Sequence, residues 1–189
     1  MKNNVAIRIG VSSLCALLLY APSHSGAATS PAKTAVQPVV QAPVQILNGA
    51  GVVRGGSAAN YVTLLDVRRS QDVTKKIERI VVDWGDQALY PAANAGYYTI
   101  ESKMKPPRVQ INLAMALNNR FDVKSVLGKL SNGIWIKTAR LEFDPISQSQ
   151  NLLLELRKPV RLQVRALPGV VEGKTIDQHP ARLVVDFVQ

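Results

Sequence analysis

Four stretches of the chain repeat one pattern of aliphatic and polar residues. Ile80-Val81-Val82-Asp83-Trp84 follows Glu78-Arg79, and Arg108-Val109-Gln110-Ile111-Asn112-Leu113 follows Lys105-Pro106-Pro107. Leu152-Leu153-Leu154-Glu155-Leu156 follows Asn151, and Arg182-Leu183-Val184-Val185-Asp186-Phe187 follows His179-Pro180-Ala181. A period of two in short runs bounded by turn residues predicts β-strands. In the first run Ile80, Val82 and Trp84 share one face and Arg79, Val81 and Asp83 the other. The first and third runs begin 72 residues apart and the second and fourth 74 apart. Such spacing predicts a half-domain duplicated within one β domain.

Other segments fill in the pattern. Val62, Leu64 and Val67 open a strand, and Ser70-Gln71-Asp72 carries turn chemistry. Short strands are expected over residues 97–100, 134–143 and 160–164, with a turn from 144 to 151. One helix is expected between the halves. Asp122 is its N-cap, Val123, Val126, Leu127 and Leu130 follow helical spacing, and Asn132-Gly133 is its stop. Gly128 inside it costs about 1 kcal/mol of propensity. Residues 46–60 are Gly-rich and predict loop or a weak first strand.

The N-terminal residues read differently. Lys2 and Arg8 precede an apolar run over 11–20, and Ser25-Gly26-Ala27 supplies small residues for cleavage, so residues 1–27 resemble a secretory signal peptide. The apolar run is shorter than the ~20 residues that span a bilayer. Cys15 follows Leu14 and is followed by more apolar residues, which argues against a lipid anchor there. Residues 28–59 form a linker rich in Pro, Ala and Gly, with Pro31, Pro38 and Pro43 opposing regular structure. The β domain is expected over 60–189, with no further domain after it. Cleavage would place the protein in the periplasm or outside the cell.

The 189 residues carry 23 Lys+Arg against 13 Asp+Glu. Losing Lys2 and Arg8 leaves 21 basic residues and a net charge of +8. Cleavage also removes the single cysteine, and with it disulfides, thiol catalysis and thiolate ligands. A basic exported domain suits an anionic lipid or wall polymer; export makes nucleic acid an unsuitable partner.

No catalytic constellation emerges. His179 is the one histidine after residue 27, there is no His/Cys cluster for a metal, and no Gly-x-Ser-x-Gly or phosphate-binding loop occurs. The expectation is a non-enzyme without cofactor or metal. Asp83, Asp186 and Glu155 recur at matching repeat positions; cross-strand partners for arginine explain them better than paired catalytic carboxylates. Trp84 and Phe187 are expected in the core, Trp135 is ambiguous, and Tyr90, Tyr97 and Tyr98 lie near loops. The recurring cations are the better binding candidates. Arg79, Arg108 and Arg182 stand at outward positions, Arg140 adds to the second half, and a guanidinium binds carboxylates through two parallel hydrogen bonds.

Read together, 78–84, 107–113 and 180–187, with Arg157-Lys158-Pro159-Val160-Arg161-Leu162 and Leu65-Asp66-Val67-Arg68, resemble the signature strands of the AMIN domain family over about residues 60–189. That family heads periplasmic N-acetylmuramoyl-L-alanine amidases and pilus secretins. The resemblance implies a mainly β, symmetric two-sheet sandwich-like fold from a duplicated half, with one short helix. It also implies a non-catalytic module that binds peptidoglycan or another anionic wall polymer, here through Arg79, Arg108, Arg140 and Arg182. A protein-interaction role in an envelope assembly, such as a pilus or secretin apparatus, is the alternative. The segments 114–137 and 166–181 are longer than the family pattern needs.

Overall fold

The computed structural model describes residues 43–58, 61–169 and 179–189. The expected signal peptide, the linker up to residue 42 and the segment 170–178 lie outside the described residues. In chain order the elements are β1 (Gln45–Asn48), β2 (Gly51–Gly55), β3 (Val62–Asp72), β4 (Ile77–Gly85), β5 (Tyr98–Met104) and β6 (Pro107–Leu113). They continue with β7 (Ala116–Asn119), α1 (Val123–Leu130), β8 (Ile136–Asp144), β9 (Ser149–Leu156), β10 (Arg161–Leu167) and β11 (Arg182–Val188).

The strands form two open sheets. The first runs β1-β10-β11-β4-β3-β7 and the second β2-β5-β6-β9-β8. The first five strands of one order match the five of the other, position for position. The hairpin β3–β4 in the first sheet corresponds to β8–β9 in the second, and β5–β6 corresponds to β10–β11. The correspondence extends to defects. β3 has a register shift between Leu64 and Asp66, and β8 has one between Ile136 and Thr138, each 72 residues on. Lys76 and Gln148, also 72 apart, both take positive φ, 53° and 50°, in the two hairpin turns.

Alternation buries one side of each sheet. Ile80, Val82, Trp84, Leu183, Val185 and Phe187 of the first sheet join Ile100, Val109, Ile111, Leu152 and Leu154 of the second in one apolar core. Trp84 and Phe187 are fully buried, as the pattern predicts. The core lies between the sheets, so their polar faces point apart.

Several details differ from the sequence reading, among them the turn expected over 144–151, whose last three residues belong to β9. The Gly-rich stretch supplies two edge strands. β1 pairs with β10 and β2 with β5, and Gly49 (φ 105°) lets the chain pass from one sheet to the other in two residues. The expected turn at Ser70-Gln71-Asp72 is strand, because Asp72 accepts the Lys75 N–H at 3.0 Å and the reversal falls at 73–76. β5 runs on to Met104, four residues beyond the expected 97–100 strand. The long segment 114–137 holds β7, which pairs in parallel with β3, as well as α1.

The helix has the expected ends. Asp122 accepts the Lys124 N–H, Val126 and Leu130 are buried, and Asn132 takes a left-handed φ of 58°. Its C-terminus is held by Arg69, whose Nη1 donates to the carbonyls of Leu130 at 3.2 Å and Ser131 at 3.0 Å. Arg69 also lies 3.4 Å from Oε1 of Glu78, which has no exposed surface. The other oxygen of Glu78 accepts the N–H groups of Trp135 (2.7 Å) and Ile136 (3.1 Å). One buried carboxylate thus joins β4, the helix end and the start of β8. Trp135 is buried beside it, its indole N–H donating to the Lys76 carbonyl at 3.0 Å.

Candidate functional site

The four candidate arginines divide between the two outward faces. Arg79 and Arg182 stand on the first sheet, Arg108 and Arg140 on the second. The repeat makes the faces comparable position by position. Asp83 opposes Arg182 on the first sheet as Glu155 opposes Arg108 on the second. Arg68 and Arg140 are counterparts on the hairpin strands β3 and β8. At the remaining pair the halves differ: Arg79 opposes Asp186, whereas Asn151 opposes Asn112.

On the face of the first sheet three arginines, Arg68, Arg79 and Arg165, are held by two carboxylates, Asp83 and Asp186. Arg79 holds Asp186 with Nε at 2.5 Å and Nη2 at 2.9 Å, and Arg165 adds a contact of 3.2 Å to the same carboxylate. The hydrogen bond to Asp186 raises the Arg79 pKa further. Arg68 grips both oxygens of Asp83 at 2.7 and 2.8 Å. Burial raises the Asp83 pKa, with Arg68 opposing the rise. The Nε of Arg182 is buried without a hydrogen-bond partner among the described residues. Val184 stands outside the core cluster yet is buried, beside a cavity of about 390 Å³ lined by five arginines, Arg68, Arg69, Arg79, Arg165 and Arg182. Arginine stems cover apolar surface in this way while their heads meet carboxylates. Asp83 and Asp186 therefore serve as arginine partners and are not paired with each other; Asp66, opposite Asp83 in register, shares Arg68 with it at 3.4 Å.

On the face of the second sheet Lys103 pairs with Glu101 at 3.0 Å, while the cations around the groove are held less closely. A groove of about 440 Å³ is floored by Pro107, Val109 and Leu153 and ringed by Arg108, Lys137, Arg140 and Arg157, with Glu155 as its one carboxylate. Arg140 approaches Glu155 only to 3.7 Å, and both side chains are about half exposed. Glu155 also accepts from the Thr138 hydroxyl at 2.9 Å. The Arg157 Nε donates to the Gly133 carbonyl at 3.2 Å, which fixes its stem at the rim. Lys137 stands at the register shift in β8, where the extra residue reaches the groove rather than the core.

Next to the groove lies a row of amides. Gln110 Nε2 donates to Asn151 Oδ1 at 3.1 Å, and Asn112 Nδ2 donates to Asn151 Oδ1 at 2.9 Å and to Ser149 Oγ at 2.8 Å. Alternation alone places Gln110 and Asn112 on the outward face with Arg108, but this row was not among the candidate residues. Its signal was the loss of charge at Asn112 and Asn151, where the other half has Asp186 and Arg79.

Among the described residues no group of three or more His, Cys, Asp or Glu side chains is placed to hold a metal ion. No protein-family model matches the chain, and a search of curated proteins returns no match.

Proposed function

We propose that this chain is a non-catalytic, exported module of AMIN-like fold that binds the cell wall, and that it does so through the outward face of the second sheet. The observation that carries the reading is the charge of the 440 Å³ groove, four cations around one carboxylate. A surplus of that kind raises the local concentration of an anionic polymer within a Debye length, about 8–10 Å at physiological salt. Peptidoglycan stems offer free carboxylates, and Arg108 and Arg140 offer planar forks to meet them. Arg79 belongs to the internal ion pairing of the opposite face and is assigned a structural role. Arg182 stands beside it.

Sacculus pull-down with the purified chain tests the reading. Retention is expected at low salt, with a loss of about tenfold or more when Arg108 and Arg140 both become glutamate, and a steep decline as salt rises. No retention at low salt, or retention indifferent to the double reversal, contradicts it.

A further inference from the structure

The face of the second sheet is ordered in cross-strand rows. Lys103, Arg108, Glu155 and Thr138 form one row; Glu101, Gln110, Leu153 and Arg140 the next; Thr99, Asn112, Asn151 and Glu142 the third. Charge therefore gives way along β6 from a cation at Arg108 to amides at Gln110 and Asn112. Four residues of strand separate Arg108 from Asn112, about 13 Å at ~3.3 Å per residue.

The amides are only partly used by each other. Both hydrogens of Asn112 Nδ2 are committed, and Asn151 Oδ1 accepts twice. That leaves Asn151 Nδ2 and the second hydrogen of Gln110 Nε2 as donors, and Asn112 Oδ1 and Gln110 Oε1 as acceptors. Alternating donors and acceptors complement a ligand that itself carries both, as a peptide backbone and the hydroxyl and N-acetyl groups of a sugar all do. The choice between them rests on Arg108 and Arg140 at the groove: in the intact wall the sugar's lactyl carboxyl is amidated and the free carboxylates are on the peptide stem, which a guanidinium binds through two parallel hydrogen bonds.

We infer that the element recognised by this face is an extended acidic peptide, its free carboxylate at Arg108 and Arg140 and its backbone amides over Gln110, Asn112 and Asn151. Resting on the wall-binding reading, this assigns the peptide stem, rather than the sugar strand, as the part of the wall that is bound. The Asn112–Asn151 pair is then where the two halves of the molecule part in function: Arg79–Asp186 closes one face and the amides open the other.

The test compares intact sacculi with stripped sacculi, the glycan strands left when the stems are hydrolysed at the lactyl amide, both immobilised on beads because the stripped strands have lost their cross-links. Hydrolysis leaves a new carboxylate on the sugar, so the stripped strand keeps negative charge and loses the peptide. Retention is expected to fall about tenfold on stripping. Asn151→Val and Arg108→Gln, each confirmed as folded by its thermal transition, are expected to weaken binding to intact sacculi several-fold, and Asn151→Val to leave residual binding to stripped sacculi unchanged. Equal retention on both materials overturns the inference while leaving wall binding in place. Retention on neither overturns both.

Discussion

Glu78 carries more of the structure than any residue the binding argument singles out. It occupies the inward phase of its strand with Ile80, Val82 and Trp84, and a carboxylate there is tolerated only because two backbone N–H groups and the Arg69 guanidinium surround it. Removing one partner of a buried charged network typically costs about 3–5 kcal/mol. Glu78→Ala is expected to lose that much in denaturant unfolding, with Glu78→Gln losing less because an amide oxygen can still accept from Trp135 and Ile136. Asp83 gives a prediction of the opposite kind. Burial raises its pKa, so the folded chain holds this proton more tightly than the unfolded chain. Its contribution to stability therefore declines as pH climbs from about 4 toward neutrality. Asp83→Asn is expected to remove that decline, seen as a difference between the stability–pH slopes of parent and variant; parallel slopes contradict it. The inward phase of Glu78 was legible in the alternation. Its partners were not, because Arg69 and Trp135 reach it from strand and loop positions that no local pattern links.

At the scale of elements, the helix and its stop were readable from Asp122 and from Asn132-Gly133, since caps act within a few residues. Gly128 faces open space, so Gly128→Ala is expected to stabilise by about 0.5–1 kcal/mol. Gly133 is the reverse case. A Cβ there would collide with the Glu78 carboxylate, and Gly133→Ala is expected to cost about 1–3 kcal/mol. Paired thermal or urea transitions of the two variants check both signs. The elements that escaped sequence reading are those with no pattern of their own. β7 is four residues long, pairs with β3 and places only Ala116 in the core. β1 and β2 are masked by glycines that serve the passage between sheets, and they were read as loop or one weak strand.

At the scale of the molecule, the 72- and 74-residue spacings pointed to a duplicated half, and the structure has two sheets that share one strand order, a match that extends to the register shifts in β3 and β8. They could not show which arginines remain available. Repetition equates Arg68 with Arg140 and Arg182 with Arg108, yet Arg68 sits at 2.7 Å from its carboxylate and Arg140 at 3.7 Å. The difference depends on cross-strand neighbours and on burial, which sequence spacing leaves open. Of the four candidate arginines, Arg79 is held in an ion pair with Asp186, Arg182 keeps its Nε without a hydrogen-bond partner among the described residues, and Arg108 and Arg140 stand around the groove of the second sheet. The edge strands matter at this scale as well. Leu47 packs against the core and Val53 is part of it, and β1 and β2 cover the edges of β10 and β5. A chain beginning at residue 56 is expected to be less stable and to self-associate through the two uncovered edges, visible as earlier elution in size-exclusion chromatography.

The central claim is that one face, rather than net charge as such, holds the wall. It is tested most directly by sacculus retention of two variants with equal charge change, Arg108→Glu with Arg140→Glu on the groove, and Lys75→Glu with Arg161→Glu elsewhere. Retention is expected to collapse for the first pair and to stay within about twofold of the parent for the second. Equal loss for both pairs would contradict the account.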